Sequence, residues 1–215
     1  MNLPIRSRYD DTVSIINNII ISRDIKSILD LGCGDGHYHQ YLYCKDIIGI
    51  DISGRGDNIV NHDITMFPYP VDRSFDMIML LDILEHVFDP IKVLEGIRQY
   101  CNKYILVSVP NKNCIDDIIY NRDISIFDPS NMSDFDGRWC YDHIRFFNLK
   151  SIRNLIEHTG YSILYVTGSN CLASRIISKI IYISESNPLI MSRKIGEEFI
   201  DICPNITILA EKRSF

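Results

Sequence analysis

The feature that most constrains the fold is a short apolar run that ends in a cluster of glycines. Ser27-Ile28-Leu29-Asp30-Leu31 leads straight into Gly32-Cys33-Gly34-Asp35-Gly36. The run reads as a strand. The glycines permit positive φ and let a ligand touch backbone, and His37–Tyr43 reads as the helix that follows. The pattern then recurs. Ile47–Ile50 is a second strand ending at Asp51, Asn58–Asp63 a third, Phe75–Leu81 a fourth and Tyr104–Val109 a fifth, with Pro90–Tyr100 helical between the last two. Asp10–Ser22 reads as an amphipathic helix ahead of them. Short, nearly all-apolar strands alternating with helices predict a parallel sheet covered on both faces.

After Pro110 the pattern breaks. The stretch Asn111–Asp142 is rich in Asn, Asp, Pro and Gly and holds seven aspartates. It is too long for a plain connection and reads as an inserted lid or cap at about 111–142. Regularity returns with a helix at Leu149–Thr159, a strand at Tyr161–Val166, an amphipathic helix at Leu172–Ser184 and a last strand at Asn205–Ala210. The length of 215 residues fits one domain spanning 1–215. The 39 isoleucines against two alanines suit strands buried on both faces. Codon usage in an A/T-rich genome accounts for the bias equally well.

Charge and cysteine content exclude several classes. A formal charge of −6 offers no global basic field for nucleic acid or anionic lipid. Seven cysteines, an odd number with no Cys-x-x-Cys pair, suggest neither a disulfide framework nor a zinc ribbon. The opening residues lack a secretory pattern, and the apolar run Ile15–Ile21 is short and interrupted by Asn17 and Asn18. The expectation is a cytoplasmic chain, monomeric or homodimeric.

The residues around the glycines sharpen the reading. A dinucleotide fingerprint wants a small residue at the position held by His37. Asp30, two residues before Gly32, would repel a pyrophosphate but suits a cofactor carrying an ammonium and a sulfonium, S-adenosylmethionine. Asp51 closes the second strand 19 residues after Gly32, where an acid accepts hydrogen bonds from both ribose hydroxyls. Asp63 is placed to accept the adenine amine, with Ile64 beneath the ring.

Taken together these segments resemble the class I S-adenosylmethionine-dependent methyltransferases. Ile28–Gly36 is similar to the first motif of that family, Gly49–Ser53 to the second and Asn61–Ile64 to the third. Ser74–Ile78 leading to Leu84–Val87 is similar to the fourth, and Val109–Asn111 to the fifth. The resemblance covers about residues 25–165. It implies a Rossmann-like, doubly wound α/β sheet of seven strands, mostly parallel with the last antiparallel and helices on both faces. It also implies a cofactor site built from Asp30, Gly32, Cys33, Gly34 and Gly36, with Asp51, Ile52, Asp63, Ile64 and Leu81. The expected reaction moves the sulfonium methyl to an O or N atom of a small-molecule acceptor, with S-adenosylhomocysteine as product.

Methyl transfer from a sulfonium is an SN2 displacement, so the protein chiefly aligns the acceptor and excludes water. A base helps when the acceptor is a hydroxyl. The candidates are Asp82, Glu85, His86 and His143, with His143 and His86 taken as catalytic. A helix turn starting at Asp82 would put Asp82, Glu85 and His86 on one face. With His143 they could hold a divalent metal. That set is similar to two metal-dependent branches of the family, the ubiquinone-pathway O-methyltransferases and the small-RNA terminal 2′-O-methyltransferases. Both usually carry Glu where this chain has Asp82, so no metal is assigned. The acidic lid, with only Lys112, Arg122 and Arg138 as cations, disfavours a nucleic-acid acceptor. Trp139, Tyr141, Phe146 and Phe147 could line an acceptor pocket or belong to the core. The competing readings are a metal-assisted O-methyltransferase on a nucleoside or RNA terminus, a non-catalytic cofactor-binding subunit and an NAD-dependent oxidoreductase.

Overall fold

The computed structural model describes residues 10–119, 143–171, 174, 176–177 and 188–214. Seven strands form one sheet: β1 (Ser27–Leu31), β2 (Asp46–Asp51), β3 (Ile59–Asn61), β4 (Phe75–Leu81), β5 (Cys101–Pro110), β6 (Tyr161–Ser169) and β7 (Asn205–Lys212). Their order is β3-β2-β1-β4-β5-β7-β6. Pairings from β3 to β5 are parallel, while β7 runs antiparallel to both β5 and β6. The predicted sheet is therefore present, with its antiparallel final strand.

Alternation along each strand divides the apolar residues between the two faces. Leu29, Leu31, Ile78, Leu80, Ile105 and Val107 pack on one side, against α2 (Pro90–Gly96) and α4 (Leu149–His158) through Val93, Leu94, Ile152 and Ile156. Ile28, Met77, Met79 and Leu106 pack on the other, against Val13, Ile16, Ile19 and Ile20 of α1 (Asp10–Arg23). The central parts of β1, β4 and β5 are mostly apolar because both of their faces are covered. Local signals set the helix starts. Asp89 accepts from the Lys92 N–H at 3.0 Å with Pro90 at the first helical position, and Asn148 forms a reciprocal cap with Ser151.

Several boundaries differ from expectation for definable reasons. No helix forms over His37–Tyr43; there is one 3-10 turn, His39–Tyr41. The side chains of Tyr38 and His39 both turn onto Asp30, and adjacent residues on an α-helix do not share a face. The third strand shrinks to Ile59–Asn61 because Asn58 takes φ +62° and Asp63 folds back onto Thr65. The helix from Pro90 tightens to a 3-10 turn after Gly96, whose missing Cβ leaves room for the Phe67 ring. Two helices were not anticipated, α3 (Ile115–Ile119) and α5 (Pro188–Glu198). Of the expected lid, 120–142 lies outside the described residues, as does most of Leu172–Ser184. Phe147 is core, bridged to Asn111. Among the described residues no helix is long and apolar enough to cross a membrane.

Candidate cofactor and acceptor site

The strand ends of β1, β2 and β4 converge on the glycine turn. Gly32 has φ +73° and donates its N–H to the Ile50 carbonyl at 2.7 Å. A Cβ on Gly32 would stand 1.9 Å from the Ile83 side chain, so only glycine lets this turn pass beneath Ile83. Gly34, at φ +59°, has nothing within 4 Å of where a Cβ would project. Two clefts meet at Gly32. One, of about 500 Å³, is lined by Asp51, Ile52, Asp63, Ile64, Ile83 and His86, among others. The second, of about 330 Å³, is lined by Cys33, Gly34, Asp35, Tyr38, Leu81 and Asp82, among others. Of the expected cofactor residues, eight thus stand on the two walls. Asp30 and Gly36 stand on neither.

The carboxylates differ sharply in their surroundings. Asp51 accepts the Gly34 N–H at 2.8 Å on one oxygen, and the Ser53 N–H and hydroxyl, both at 2.8 Å, on the other. Burial pushes its carboxyl up, but these donors outweigh burial and hold it below the ordinary carboxylate value. Asp63 is held low by the Thr65 N–H and hydroxyl. Both are charged acceptors beside the larger cleft. Asp30 is only 1% exposed. Its Oδ2 receives the Tyr38 hydroxyl and approaches His39 Nε2 at 2.7 Å. Burial and the Asp30 charge push the Tyr38 phenol far up, so it remains a donor. Burial, with Asp30 and Asp51 nearby, pushes the Cys33 thiol to about 12, which leaves it no nucleophile.

The expected shared face of Asp82, Glu85 and His86 does not form. Asp82 takes φ +55° directly after β4, and a 3-10 turn, Leu84–His86, follows. Asp82 is not in the group whose ligand atoms converge. Its N–H donates to the Ser108 carbonyl at 2.9 Å, and its Oδ1 accepts from Ser108 Oγ at 3.1 Å and Asn205 Nδ2 at 2.6 Å. Glu85, His86 and His143 do come together, with one ligand atom from each within 4.8 Å of the others. The two imidazoles meet edge-on at 4.5 Å. Glu85 is 1% exposed, and its backbone carbonyl accepts from Ile144 and Arg145 at 2.9 and 3.1 Å. That bond fixes His143 beside the turn. His86 reaches the large cleft, whereas His143 does not line it. One carboxylate and two imidazoles make a donor set suited to a divalent ion.

Sequence reasoning missed Tyr38 and His39 as partners of Asp30, and Ser108 and Asn205 as partners of Asp82. The Asp82–Asn205 pair spans 123 residues and has no local signature. Ser108 had one: it is a lone polar residue in the buried run of β5.

Comparison with known proteins bears on the family and the fold. The family described as methyltransferase domain matches residues 11–166. An uncharacterized methyltransferase of Schizosaccharomyces pombe is 35% identical over 78 residues, 35% of this chain and 27% of that protein. A tRNA U34 carboxymethyltransferase of Helicobacter hepaticus is 33% identical over 102 residues, 36% of this chain and 32% of that one. The chain thus spans a third or less of the length of these curated relatives. Two solved structures share the fold at low identity. Magnesium protoporphyrin IX methyltransferase from Synechocystis PCC 6803, with bound S-adenosylhomocysteine, aligns at TM-score 0.56 and 12% identity over 99% of this chain and 90% of that one. The small RNA methyltransferase HEN1 aligns at 0.63 and 14% over 100% of this chain and 27% of that one. With most of its length matched by the family and its sheet in the same strand pattern, the chain belongs to the methyltransferase-domain family, with the fold of the class I S-adenosylmethionine-dependent enzymes.

Proposed function

We propose that the chain transfers a methyl group from S-adenosylmethionine to an O or N atom of a small-molecule acceptor. The observation that carries the reading is the meeting of two clefts over Gly32, with two charged carboxylates on one side and an open glycine turn on the other. Bound S-adenosylmethionine supplies a methyl already activated by its sulfonium. The chain's own residues bind and orient. Asp51 accepts from ribose hydroxyls, a role that its low carboxyl pKa suits. Ile52 and Ile64 offer apolar surface for a purine, and Asp63 an acceptor for its amine. Gly34 fits the cofactor because a side chain there would project into the cleft that the ligand needs. His86 faces the cleft and is placed to take an acceptor proton, with His143 packed on its ring to orient it. Titration calorimetry tests the reading: S-adenosylhomocysteine binds and NAD does not. The reverse order would refute it.

A second reading is favoured by the convergence of Glu85, His86 and His143. Here the three residues hold a divalent cation, and the acceptor is a ribose hydroxyl of a nucleoside or RNA terminus. The cation would polarise that hydroxyl, a role left to His86 alone in the first reading. Asp82 is not among the residues whose ligand atoms converge there. Loss of turnover in EDTA with recovery on adding Mn²⁺ supports this reading; turnover that survives EDTA dismisses it.

A further inference from the structure

Asp63 and Ile64 stand on a loop, since β3 ends at Asn61 and β4 begins only at Phe75. In the cofactor reading, on which this inference rests and which it deepens, that loop must hold its shape for Asp63 to tell a purine amine from a purine carbonyl. We propose that Tyr69 is the positioning residue of the adenine subsite and that its hydroxyl sets the preference for a 6-amino over a 6-oxo purine.

One peptide unit carries the inference. The carbonyl of Ile64 accepts the Tyr69 hydroxyl at 2.6 Å. The N–H of Thr65, on the other side of the same peptide bond, donates to Asp63 Oδ1 at 2.8 Å. A peptide unit is planar, so fixing its carbonyl also fixes the direction of its N–H. The Tyr69 hydroxyl therefore orients the group that holds the Asp63 carboxylate. Asp63 and Ile64 both line the 500 Å³ cleft.

Tyr69 is itself held firmly enough to serve as the anchor. It is 3% exposed. Its N–H donates to the Tyr100 hydroxyl at 2.7 Å. Its ring stacks on Phe67 and on Tyr100, with centroids 4.8 and 5.0 Å away. His62 meets it edge-on at 5.9 Å. Tyr100 ends the helical segment before β5 and belongs to the same core cluster as Val93, Leu94 and Ile97. Packing on this scale locks the side chain in place. Burial, with Tyr100 and Asp63 nearby, pushes the Tyr69 phenol up, so it stays protonated and donates. At its start the loop is tied to the ribose side, where the His62 N–H donates to the Asp51 carbonyl at 3.1 Å. A buried tyrosine hydroxyl needs some partner. The partner here is the backbone of the residue assigned beneath the purine.

Calorimetry with two probes tests the proposal. S-adenosylhomocysteine carries the 6-amine, and S-inosylhomocysteine carries an oxygen in its place. Wild type is expected to prefer the first by about 10-fold or more, because a carboxylate that accepts from the amine meets a carbonyl instead. Tyr69→Phe keeps the ring stack and removes the hydroxyl. It should narrow that preference by about 3- to 10-fold, the range for one neutral hydrogen bond. Asp63→Ala should abolish the preference, and Tyr69→Phe added to it should leave the ratio where it is. If Tyr69→Phe does not fold, Tyr100→Phe, which removes the acceptor of the Tyr69 N–H, gives the same comparison. Equal weakening of both probes, with their ratio unchanged, marks Tyr69 as core alone and overturns the inference while leaving the cofactor reading intact. Equal binding of the two probes by wild type overturns it as well. Failure of both to bind wild-type protein overturns the cofactor reading and the inference with it.

Discussion

The Asn205 amide donates to the Asp82 carboxylate at 2.6 Å, joining the first residue of β7 to the residue that follows β4. Ser108 of β5 lies between them and bonds the same oxygen. The antiparallel strand thereby reaches into the glycine-loop site. Asn205→Ala removes a nearly buried donor and leaves Asp82 with one fewer partner. The expected cost is about 1–2 kcal/mol of unfolding free energy. Denaturant titration measures it, and an unchanged midpoint at unchanged slope would show the bond to be dispensable.

Asp51 is assigned to the ribose. Asp51→Ala should weaken S-adenosylhomocysteine by about 1–3 kcal/mol, the range for hydrogen bonds to a charged group. The substitution also frees the Gly34 N–H and Ser53, which Asp51 now holds. A thermal melt without ligand separates loss of the turn from loss of binding. Wild-type affinity in a variant with a wild-type melt would refute the assignment.

The buried Asp11 of α1 gives the fold a predictable pH dependence. Burial pushes its carboxyl up from 3.8 to about 6, against the lowering effect of the Cys171 N–H, the Ser192 hydroxyl and the Thr12 N–H. A folded-state pKa above the unfolded one means that the folded chain prefers the protonated acid. The associated stability is fully present below the unfolded value and is lost as pH rises through about 6. The difference corresponds to roughly 3 kcal/mol. Unfolding curves at pH 4 and pH 7 should show wild type losing about that much relative to Asp11→Asn. Parallel behaviour of the two proteins would contradict the assignment.

The sheet was legible because its central strands are buried on both faces, so nearly every residue of β1 and β4 had to be apolar. The glycine turn and the carboxylates at Asp51 and Asp63 were legible because they follow strand ends at fixed chain distances. What escaped the sequence was side-chain direction. Asp30 and Asp82 both sit beside strand ends and look equivalent on paper. Tyr38 and His39 close over the first, and a left-handed backbone turns the second toward Ser108 and Asn205. Asp82 is also not in the group that Glu85 and His86 form with His143, although helical spacing would have placed it with them. The convergence of Glu85, His86 and His143 was anticipated as residue types, but the contact across 57 residues is fixed by backbone bonds from Ile144 and Arg145 to Glu85. These relations depend on tertiary packing that no local pattern encodes.

The central claim is that the two clefts flanking Gly32 form one continuous cofactor site. A crystal structure of the protein with S-adenosylhomocysteine tests it most directly. Density is expected with the adenine between Ile52 and Ile64, the ribose on Asp51, and the amino-acid end crossing Gly32 into the second cleft. Ligand bound elsewhere on the protein, or density confined to one cleft with its amino-acid end away from the glycine turn, would contradict it.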